Sequence, residues 1–270
     1  MKSKHHIIEA AKEMTHILAN NLELTKVPIE IGRTHVDKYR TIGVGIQGLV
    51  DYLAINNLTY ENLDDITELS ELIQYGCVLK SIELAKERGK YPMFEGSRWD
   101  TGEQIADYIN DSVSDVADWV EAQRLCAKYG VNMSQHTSPA PNTTTATAMD
   151  AAAGITGAYN SFFYDDSQLG KLPITSMYLD ENPLVYEMSQ GMFDQVWFSK
   201  VVGAIQKFCD TGISAERILD RNVREVTAKM LSDIYKQAWK DGNKAVYYLR
   251  TIKKGEGNSK KEGICASCEN

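Results

Sequence analysis

Residues 138–155 read S-P-A-P-N-T-T-T-A-T-A-M-D-A-A-A-G-I and carry the strongest local signals in the chain. Pro139 and Pro141 lack a backbone N–H group and favour extended geometry in the residue before each. Residues 142–145 then offer amide and hydroxyl side chains typical of a helix N-terminus, and the Ala-rich segment that follows favours helix until Gly154. We therefore predict an extended approach, a threonine-rich turn and a short helix.

The predicted turn is suited to binding an anion. The first N–H groups of a helix have no partner within the helix, and the helix dipole is positive at that end. The hydroxyl groups of Thr143, Thr144 and Thr145 would surround the same spot, and a diphosphate would fit there. An ordinary helix cap with surplus threonines is the alternative interpretation of this pattern.

The composition is that of a soluble globular protein. The chain has 270 residues, of which 43% are hydrophobic and 24% are charged, so it can build a substantial core. Its formal charge of −8 makes a nucleic-acid polymer an unsuitable partner. Met1 is followed by polar and basic residues without an apolar segment, and no apolar run approaches the ~20 residues of a membrane span. We expect a cytoplasmic protein without a membrane partner.

Apolar periodicity places helices between short extended segments, which is typical of the α/β class. We predict one domain over residues 1–252 and a flexible, solvated tail over 253–270, because the tail is rich in Gly, Lys, Glu and Ser. The segment after Gly154 is expected to be irregular. The predicted helices are 4–22, 47–55, 63–88, 113–129, 183–190, 193–209 and 223–240, and the predicted strands are 131–137 and 245–252.

Gly43, Gly45 and Gly48 match the dinucleotide-binding pattern G-x-G-x-x-G. That site requires a buried strand immediately before the first glycine. Residues 35–40 are H-V-D-K-Y-R, which cannot form a central parallel strand. We therefore favour glycines that let the chain pack closely as it enters the helix at 47–55.

The cysteines fall into two groups. Cys77, Cys126 and Cys209 lie in apolar patterns and are predicted to be buried. Cys265 and Cys268 form a C-x-x-C pair in the predicted tail, where a half zinc site, a structural disulfide or thiol–disulfide exchange could be considered. We predict no metal site, because no second ligand pair exists. Exchange is favoured because a mobile arm supplies reach and the spacing supplies a resolving thiol.

Tyr247 and Tyr248 are adjacent in the strand predicted at 245–252. Successive side chains of a strand point to opposite faces, so we expect the two rings to lie on opposite sides. One aromatic residue in the core and one outside is the simplest interpretation of the pair.

Together these segments resemble the C-terminal half of the large, catalytic subunit of class I ribonucleotide reductase. The resemblance covers nearly the whole chain, and its motifs occur in the family's order. They are R-T-I-G-V-G-I-Q-G-L at 40–49, P-A-P-N-T-T-T at 139–145, V-Y-Y-L-R-T at 246–251 and the terminal pair Cys265 and Cys268.

The resemblance implies a fold, a reaction and a binding site. The fold would be the C-terminal part of the family's ten-stranded α/β barrel, and the reaction would be the reduction of ribonucleoside diphosphates to 2′-deoxyribonucleotides by radical chemistry. Asn142 stands where the family has Ser or Thr, so one hydroxyl contact is missing while the backbone N–H is retained. The implied substrate-phosphate residues are Pro141, Asn142, Thr143, Thr144 and Thr145.

The resemblance also implies redox roles and partners. Tyr247 and Tyr248 would carry a radical from the metal centre of a small subunit towards a cysteine near the substrate. Cys265 and Cys268 would re-reduce the active-site disulfide and then be reduced by thioredoxin or glutaredoxin. No cofactor is expected to be bound in this chain itself.

One departure from the family shapes the prediction. The family's radical cysteine lies in an N-x-C-x-E loop, and this sequence contains no such segment. We therefore expect the second half of a split large subunit, for example one encoded by a phage, that is inactive without an N-terminal half. A piece cut from a longer protein is one alternative, and a non-catalytic protein that binds phosphate or the small subunit is another.

Overall fold

The computed structural model describes residues 3–157, 162–167, 170–187, 194–222 and 225–252. The predicted tail at 253–270, including Cys265 and Cys268, lies outside the described residues, so its flexibility stays a prediction. The helices are α1 Lys4–Leu24, α2 Glu30–Tyr39, α3 Leu49–Ile55, α4 Leu63–Arg88, α5 Glu103–Asp111, α6 Trp119–Tyr129, α7 Thr143–Ala148, α8 Pro183–Glu187, α9 Gln195–Gln206 and α10 Ala228–Lys240, and the strands are β1 Phe162–Ser167, β2 Gly170–Thr175, β3 Arg217–Asp220 and β4 Leu249–Ile252.

The chain forms two compact units, each built from segments that are distant in sequence. Among the described residues, the first comprises 3–45, 63–139 and 204–212. The second comprises 46–62 and the described parts of 140–203 and 213–252. Each unit therefore depends on contacts that no local stretch of sequence encodes.

Helices α1 and α4 pack closely in the first unit, and Gly76 of α4 permits this. A Cβ atom at Gly76 would lie 2.5 Å from the carbonyl oxygen of Ile8 and 2.8 Å from Cβ of Ala11. No real Cβ approaches backbone so closely, so the helices could not hold this distance with a larger residue. The boundaries of α4 agree with its predicted range of 63–88, and α1 extends the predicted 4–22 by two residues.

An aromatic cluster fills the core beside these helices. Tyr108 packs against Trp119 with ring centroids 4.7 Å apart and against Phe208 with centroids 5.7 Å apart. Tyr75 meets Trp119 edge to face at 5.1 Å. Such aromatic pairs contribute beyond the area that they bury.

The helix predicted at 113–129 begins only at Trp119, so the prediction of its start is wrong. The carboxylate of Glu71 is buried and accepts hydrogen bonds from the backbone N–H groups of Val113 and Ser114, both at 2.9 Å, and from Nε1 of Trp119. This anchor holds the segment in a non-helical conformation until Asp118 caps α6 by accepting from the N–H of Glu121.

The sheets differ from the predicted strands. Residues 162–167 and 170–175 pair as an antiparallel hairpin in register Phe162↔Thr175, although an irregular segment was expected after Gly154. The first of these segments, F-F-Y-D-D-S, lacks a clear alternation of apolar and polar residues, so only the pairing defines the strand. β3 and β4 form a parallel pair in register Arg217↔Leu249.

Two predicted strands are wrong in their extent, and two helices were missed. The strand expected at 131–137 is reduced, within the described residues, to an isolated bridge between Val44 and Thr137. The strand expected at 245–252 is limited to Leu249–Ile252. Helices α2 and α5 were not predicted at all. α5 buries only Ile105 and Tyr108, so its apolar positions are too few to form a clear helical pattern in the sequence.

In the part of the chain that the structure describes, none of the helices combines the length and the apolar character that a membrane span requires.

Replacing Gly76 by Ala tests the packing of α1 on α4. Helix propensity alone would stabilise the protein by about 1 kcal/mol, whereas forcing a methyl group into backbone contact should cost about 1–3 kcal/mol. We expect a net fall in the free energy of unfolding, measured by urea denaturation. Glu87→Ala, at an exposed position of α4, is the control and should change stability little. A Gly76→Ala protein more stable than the wild type would contradict the close approach.

Candidate functional site

The threonine-rich turn is the first turn of a helix. α7 covers Thr143–Ala148, so it starts at the threonines and ends well before Ala153, the last of the Ala-rich residues. Asn142 adopts the left-handed conformation at φ 50°, and its carbonyl accepts from the N–H of Ala146 at 2.8 Å. Residues 142–145 are exposed. The residues predicted to bind phosphate are therefore at the surface.

The two ends of the loop that carries α7 meet at Gly154. This residue is left-handed at φ 53°, and a Cβ atom there would lie 2.9 Å from the carbonyl oxygen of Ala140 and 3.3 Å from that of Pro141. Only glycine combines this backbone angle with such a close approach. The loop from Ala140 to Gly154 is thus closed on itself, with the turn between its ends.

The N-terminus of α3 holds the closing end of this loop. The N–H of Gly48 donates to the carbonyl of Ala152 at 2.9 Å, and the N–H of Leu49 donates to the carbonyl of Gly154 at 3.2 Å. These loop carbonyls satisfy two N–H groups at the start of the helix in place of a side-chain cap.

Asp51, in the first turn of α3, makes two further hydrogen bonds. Its Oδ2 accepts from the N–H of Ala152 at 2.6 Å, and its Oδ1 accepts from the hydroxyl of Tyr186 at 2.7 Å. Burial and the Asp51 carboxylate raise the pKa of Tyr186, so its phenol stays protonated and donates. Sequence reasoning missed both residues, because no local pattern links positions so far apart.

The glycine-rich segment has the packing role that was predicted for it. Gly48 is left-handed at φ 72° and caps α3, and a Cβ atom at Gly43 would lie 2.9 Å from Cβ of Ser138. Residues 30–39, which precede the first glycine, form helix α2 and not a strand. The dinucleotide site requires a strand there, so the structure agrees with its rejection.

Tyr247 and Tyr248 lie against each other, so the prediction that they face opposite sides is wrong. Their ring centroids are 4.2 Å apart, and the rings are inclined by 58°. Both precede β4, which starts at Leu249, so the alternation of a strand does not apply to them. Tyr247 is 41% exposed and Tyr248 is 39% exposed, and neither is a core residue.

The backbone beside this pair is held by β3. The N–H of Arg217 donates to the carbonyl of Tyr248 at 2.8 Å. Two residues further on, Nη2 of Arg250 lies 3.0 Å from Oε1 of Glu216, and both side chains are largely buried. The threonine turn and the tyrosine pair belong to the same compact unit.

Cys77, Cys126 and Cys209 are buried thiols outside any disulfide, which confirms their prediction as interior residues. Burial raises the pKa of Cys77 and of Cys126 to about 12, so neither forms a reactive thiolate near neutral pH. Cys265 and Cys268 lie outside the described residues. Within the described ranges, no three His, Cys, Asp or Glu side chains are placed to hold a metal ion.

A buried polar network in the first unit was not predicted. Nδ1 of His136 lies 3.3 Å from Oδ2 of Asp210, which also accepts from the His136 backbone N–H at 2.6 Å. The other carboxylate oxygen of Asp210 accepts from Tyr108 at 2.9 Å and from Gln74 at 3.1 Å. Burial opposes ionisation of Asp210, yet the hydrogen bonds and charge of His136 bring its pKa below the ordinary value.

Comparison with known proteins identifies the family. The sequence model described as "Ribonucleotide reductase, barrel domain" matches residues 2–249 of this chain. The chain belongs to this family. The resemblance seen in the motifs and the prediction of an α/β barrel fold are thereby confirmed.

Relatives in the family are named as subunits of ribonucleoside-diphosphate reductase. The subunit alpha of Synechocystis is 37% identical over 267 residues, which cover 94% of this chain and 35% of that protein. The subunit alpha of Chlamydia pneumoniae is 27% identical over 281 residues, covering 87% of this chain and 26% of that protein. The subunit alpha of Enterobacteria phage T4 is 24% identical over 282 residues, covering 97% and 37%. The chain thus spans about a third of the length of these relatives.

The buried network around Asp210 predicts a loss of stability in acid. Because the folded pKa of Asp210 is below its unfolded value, ionised Asp210 stabilises the fold above the unfolded pKa of about 3.9. This contribution is lost as the pH falls from there through the folded pKa. We expect Asp210→Asn to flatten the decline of the urea midpoint below pH 4.

Tyr108→Phe provides a graded comparison, since it removes one donor to Asp210 and leaves the carboxylate in place. It should raise the folded pKa of Asp210, so that the urea midpoint begins to decline at a higher pH. Identical pH profiles for the wild type, Tyr108→Phe and Asp210→Asn would refute the assignment.

Proposed function

We propose that this chain is the C-terminal part of the alpha subunit of a ribonucleoside-diphosphate reductase and acts in reducing ribonucleoside diphosphates to 2′-deoxyribonucleotides in the cytoplasm. The observation that carries the proposal is the family match over residues 2–249 together with two phenol rings in contact at the family's Y-Y-L-R-T motif. Phosphate binding by itself assigns no role to this exposed pair.

The turn from Pro141 to Thr145 would bind the substrate's phosphates. Its backbone N–H groups belong to the first turn of α7, where the helix dipole favours an anion. Asn142 offers no hydroxyl, but its left-handed backbone bends the chain into α7, and the three threonines that follow are exposed residues. The hydroxyls of Thr143, Thr144 and Thr145 add donors that a diphosphate can accept.

Tyr247 and Tyr248 would relay the radical. Each phenol in turn gives up one electron and one proton, and each regains both when the next group is oxidised or the cycle reverses. Rings 4.2 Å apart make this transfer a short step. Their partial exposure leaves one side accessible to a small subunit, whose metal centre would generate the radical.

Other parts of the reductase must supply the remaining chemistry. The sequence has no N-x-C-x-E segment. Its three described cysteines are buried, and burial raises the pKa of Cys77 and of Cys126. The radical cysteine and the two cysteines that reduce the substrate would therefore come from the N-terminal half of the alpha subunit. This chain is expected to be inactive by itself, and a split subunit is one arrangement that provides the partner.

Cys265 and Cys268 would complete the redox cycle. The two thiols are oxidised to a disulfide as they reduce the active-site disulfide to two thiols, so electrons and protons balance. Thioredoxin or glutaredoxin would then return the pair to the dithiol form. Support comes from the C-x-x-C spacing at the end of a polar segment and from the family match.

The relay is tested in a mixture of this chain, a matching N-terminal half, a small subunit and a reductant. Formation of a 2′-deoxyribonucleotide is expected, and Tyr247→Phe or Tyr248→Phe should abolish turnover without unfolding the chain. Tyr39→Phe is the matched control, since Tyr39 is 38% exposed and its ring lies against that of His35 with centroids 5.0 Å apart, and it should retain full activity. Unchanged turnover in both relay variants would reject the relay.

The thiol shuttle makes a separable prediction. Cys265→Ser or Cys268→Ser should eliminate turnover driven by thioredoxin or glutaredoxin, because these reductants reach the active site through the tail. Turnover driven by dithiothreitol, which can reduce the active-site disulfide directly, should be largely kept. Product formation assayed with both reductants checks this, and equal loss with both would point to a structural role for the pair.

A further inference from the structure

We infer that Asp51 and Tyr186 are positioning residues that hold the phosphate-binding turn in its binding conformation. The inference rests on the proposed function of residues 141–145. It adds two side chains that do not touch the substrate in this arrangement but act on it through the backbone of the loop.

The first step is the hydrogen bonding of Asp51. Its carboxylate is buried, with the residue 8% exposed, and its two oxygens are each matched to a donor: the N–H of Ala152 and the hydroxyl of Tyr186. Tyr186 is itself fully buried. A buried charge without such donors would cost several kcal/mol, so carboxylate, phenol and loop backbone are bound to one another as a set.

The second step is the space that Gly48 provides. A Cβ atom at Gly48 would lie 3.0 Å from Oδ2 of Asp51, and the residue has a left-handed φ of 72°. A side chain at this position would press on the carboxylate at the contact with Ala152. The spacing G-x-x-D at residues 48–51 therefore combines a tight helix start with a carboxylate aimed at the loop.

The third step connects Ala152 to the turn. Ala152 is fixed through both its N–H and its carbonyl, by Asp51 and Gly48 respectively. Two residues later, Gly154 packs against the carbonyl oxygens of Ala140 and Pro141, where the turn begins. Motion of Ala152 would thus also move Gly154, which packs against Pro141, the first residue of the predicted site.

The turn needs such support because it is short and exposed. α7 has six residues, and a helix of this length is not stable by itself in water. A turn that is already ordered loses less conformational entropy when the substrate binds. Loss of the Asp51–Tyr186 pair should therefore weaken the binding of diphosphate and raise the KM for the substrate, while kcat changes little.

The experiment compares two hydroxyl deletions of the same kind. Tyr186→Phe removes the donor to Asp51, and Tyr108→Phe removes the equivalent donor to buried Asp210 in the other unit. We expect Tyr186→Phe to raise the dissociation constant of the chain for inorganic diphosphate about threefold or more, in calorimetric titration, and Tyr108→Phe to leave it unchanged. In the assembled reductase, Tyr186→Phe should raise KM by a similar factor.

Two variants at Asp51 sharpen the result. Asp51→Asn keeps an oxygen for Ala152 and should bind diphosphate nearly as well as the wild type. Asp51→Leu lacks both acceptors and should weaken binding about tenfold. Hydrogen exchange of the Ala152 amide, which does not depend on a ligand, should stay slow in Asp51→Asn and become fast in Asp51→Leu.

The possible failures are distinguishable. If the wild-type chain binds no diphosphate, the proposed phosphate turn is wrong and the positioning role falls with it. If the wild type binds but Tyr186→Phe and Asp51→Leu bind equally well, the positioning role alone is overturned. Equal weakening by Tyr186→Phe and Tyr108→Phe would likewise overturn it, since general loss of stability would then explain the effect.

Discussion

Buried carboxylates impose the constraint on which the irregular parts of this protein depend. An ionised carboxylate that is removed from water must be surrounded by donors, or the fold loses several kcal/mol. Glu71, Asp51 and Asp210 each meet this requirement by accepting from backbone N–H groups as well as from side chains. Each therefore fixes a stretch of chain that has no regular secondary structure of its own.

The three carboxylates serve different parts of the molecule. Glu71 anchors the segment before α6, and Asp210 ties His136 to the polar network of the first unit. Asp51 holds the loop that carries the candidate phosphate turn. Glu71 and Asp51 lie in helices, whereas Asp210 lies in the loop that follows α9. In all three cases the N–H groups belong to a distant loop, so the carboxylate fixes the conformation of that loop.

The residues of the candidate site were proposed from the sequence, whereas the arrangement of the described ones came only from the structure. The threonines, the tyrosine pair and the terminal cysteines could be recognised as motifs, because each is a short run of chemically suited side chains. The contact between the two tyrosine rings could not be predicted, since it depends on where β4 begins, and pairing with β3 decides that. Asp51 and His136 gave no signal, because their partners lie 101 and 74 residues away.

The amino-acid sequence by itself determined the α/β class, the family, the range of the long helix α4 and the burial of three cysteines. These features follow from local periodicity, from composition and from short motifs. Such signals can be seen within short segments of the sequence. Tertiary structure alone decided the hairpin at 162–175, the late start of α6 and the support beneath the threonine turn. Hydrogen bonds between distant segments produce these features. A local sequence pattern does not specify which distant donor will bind which acceptor.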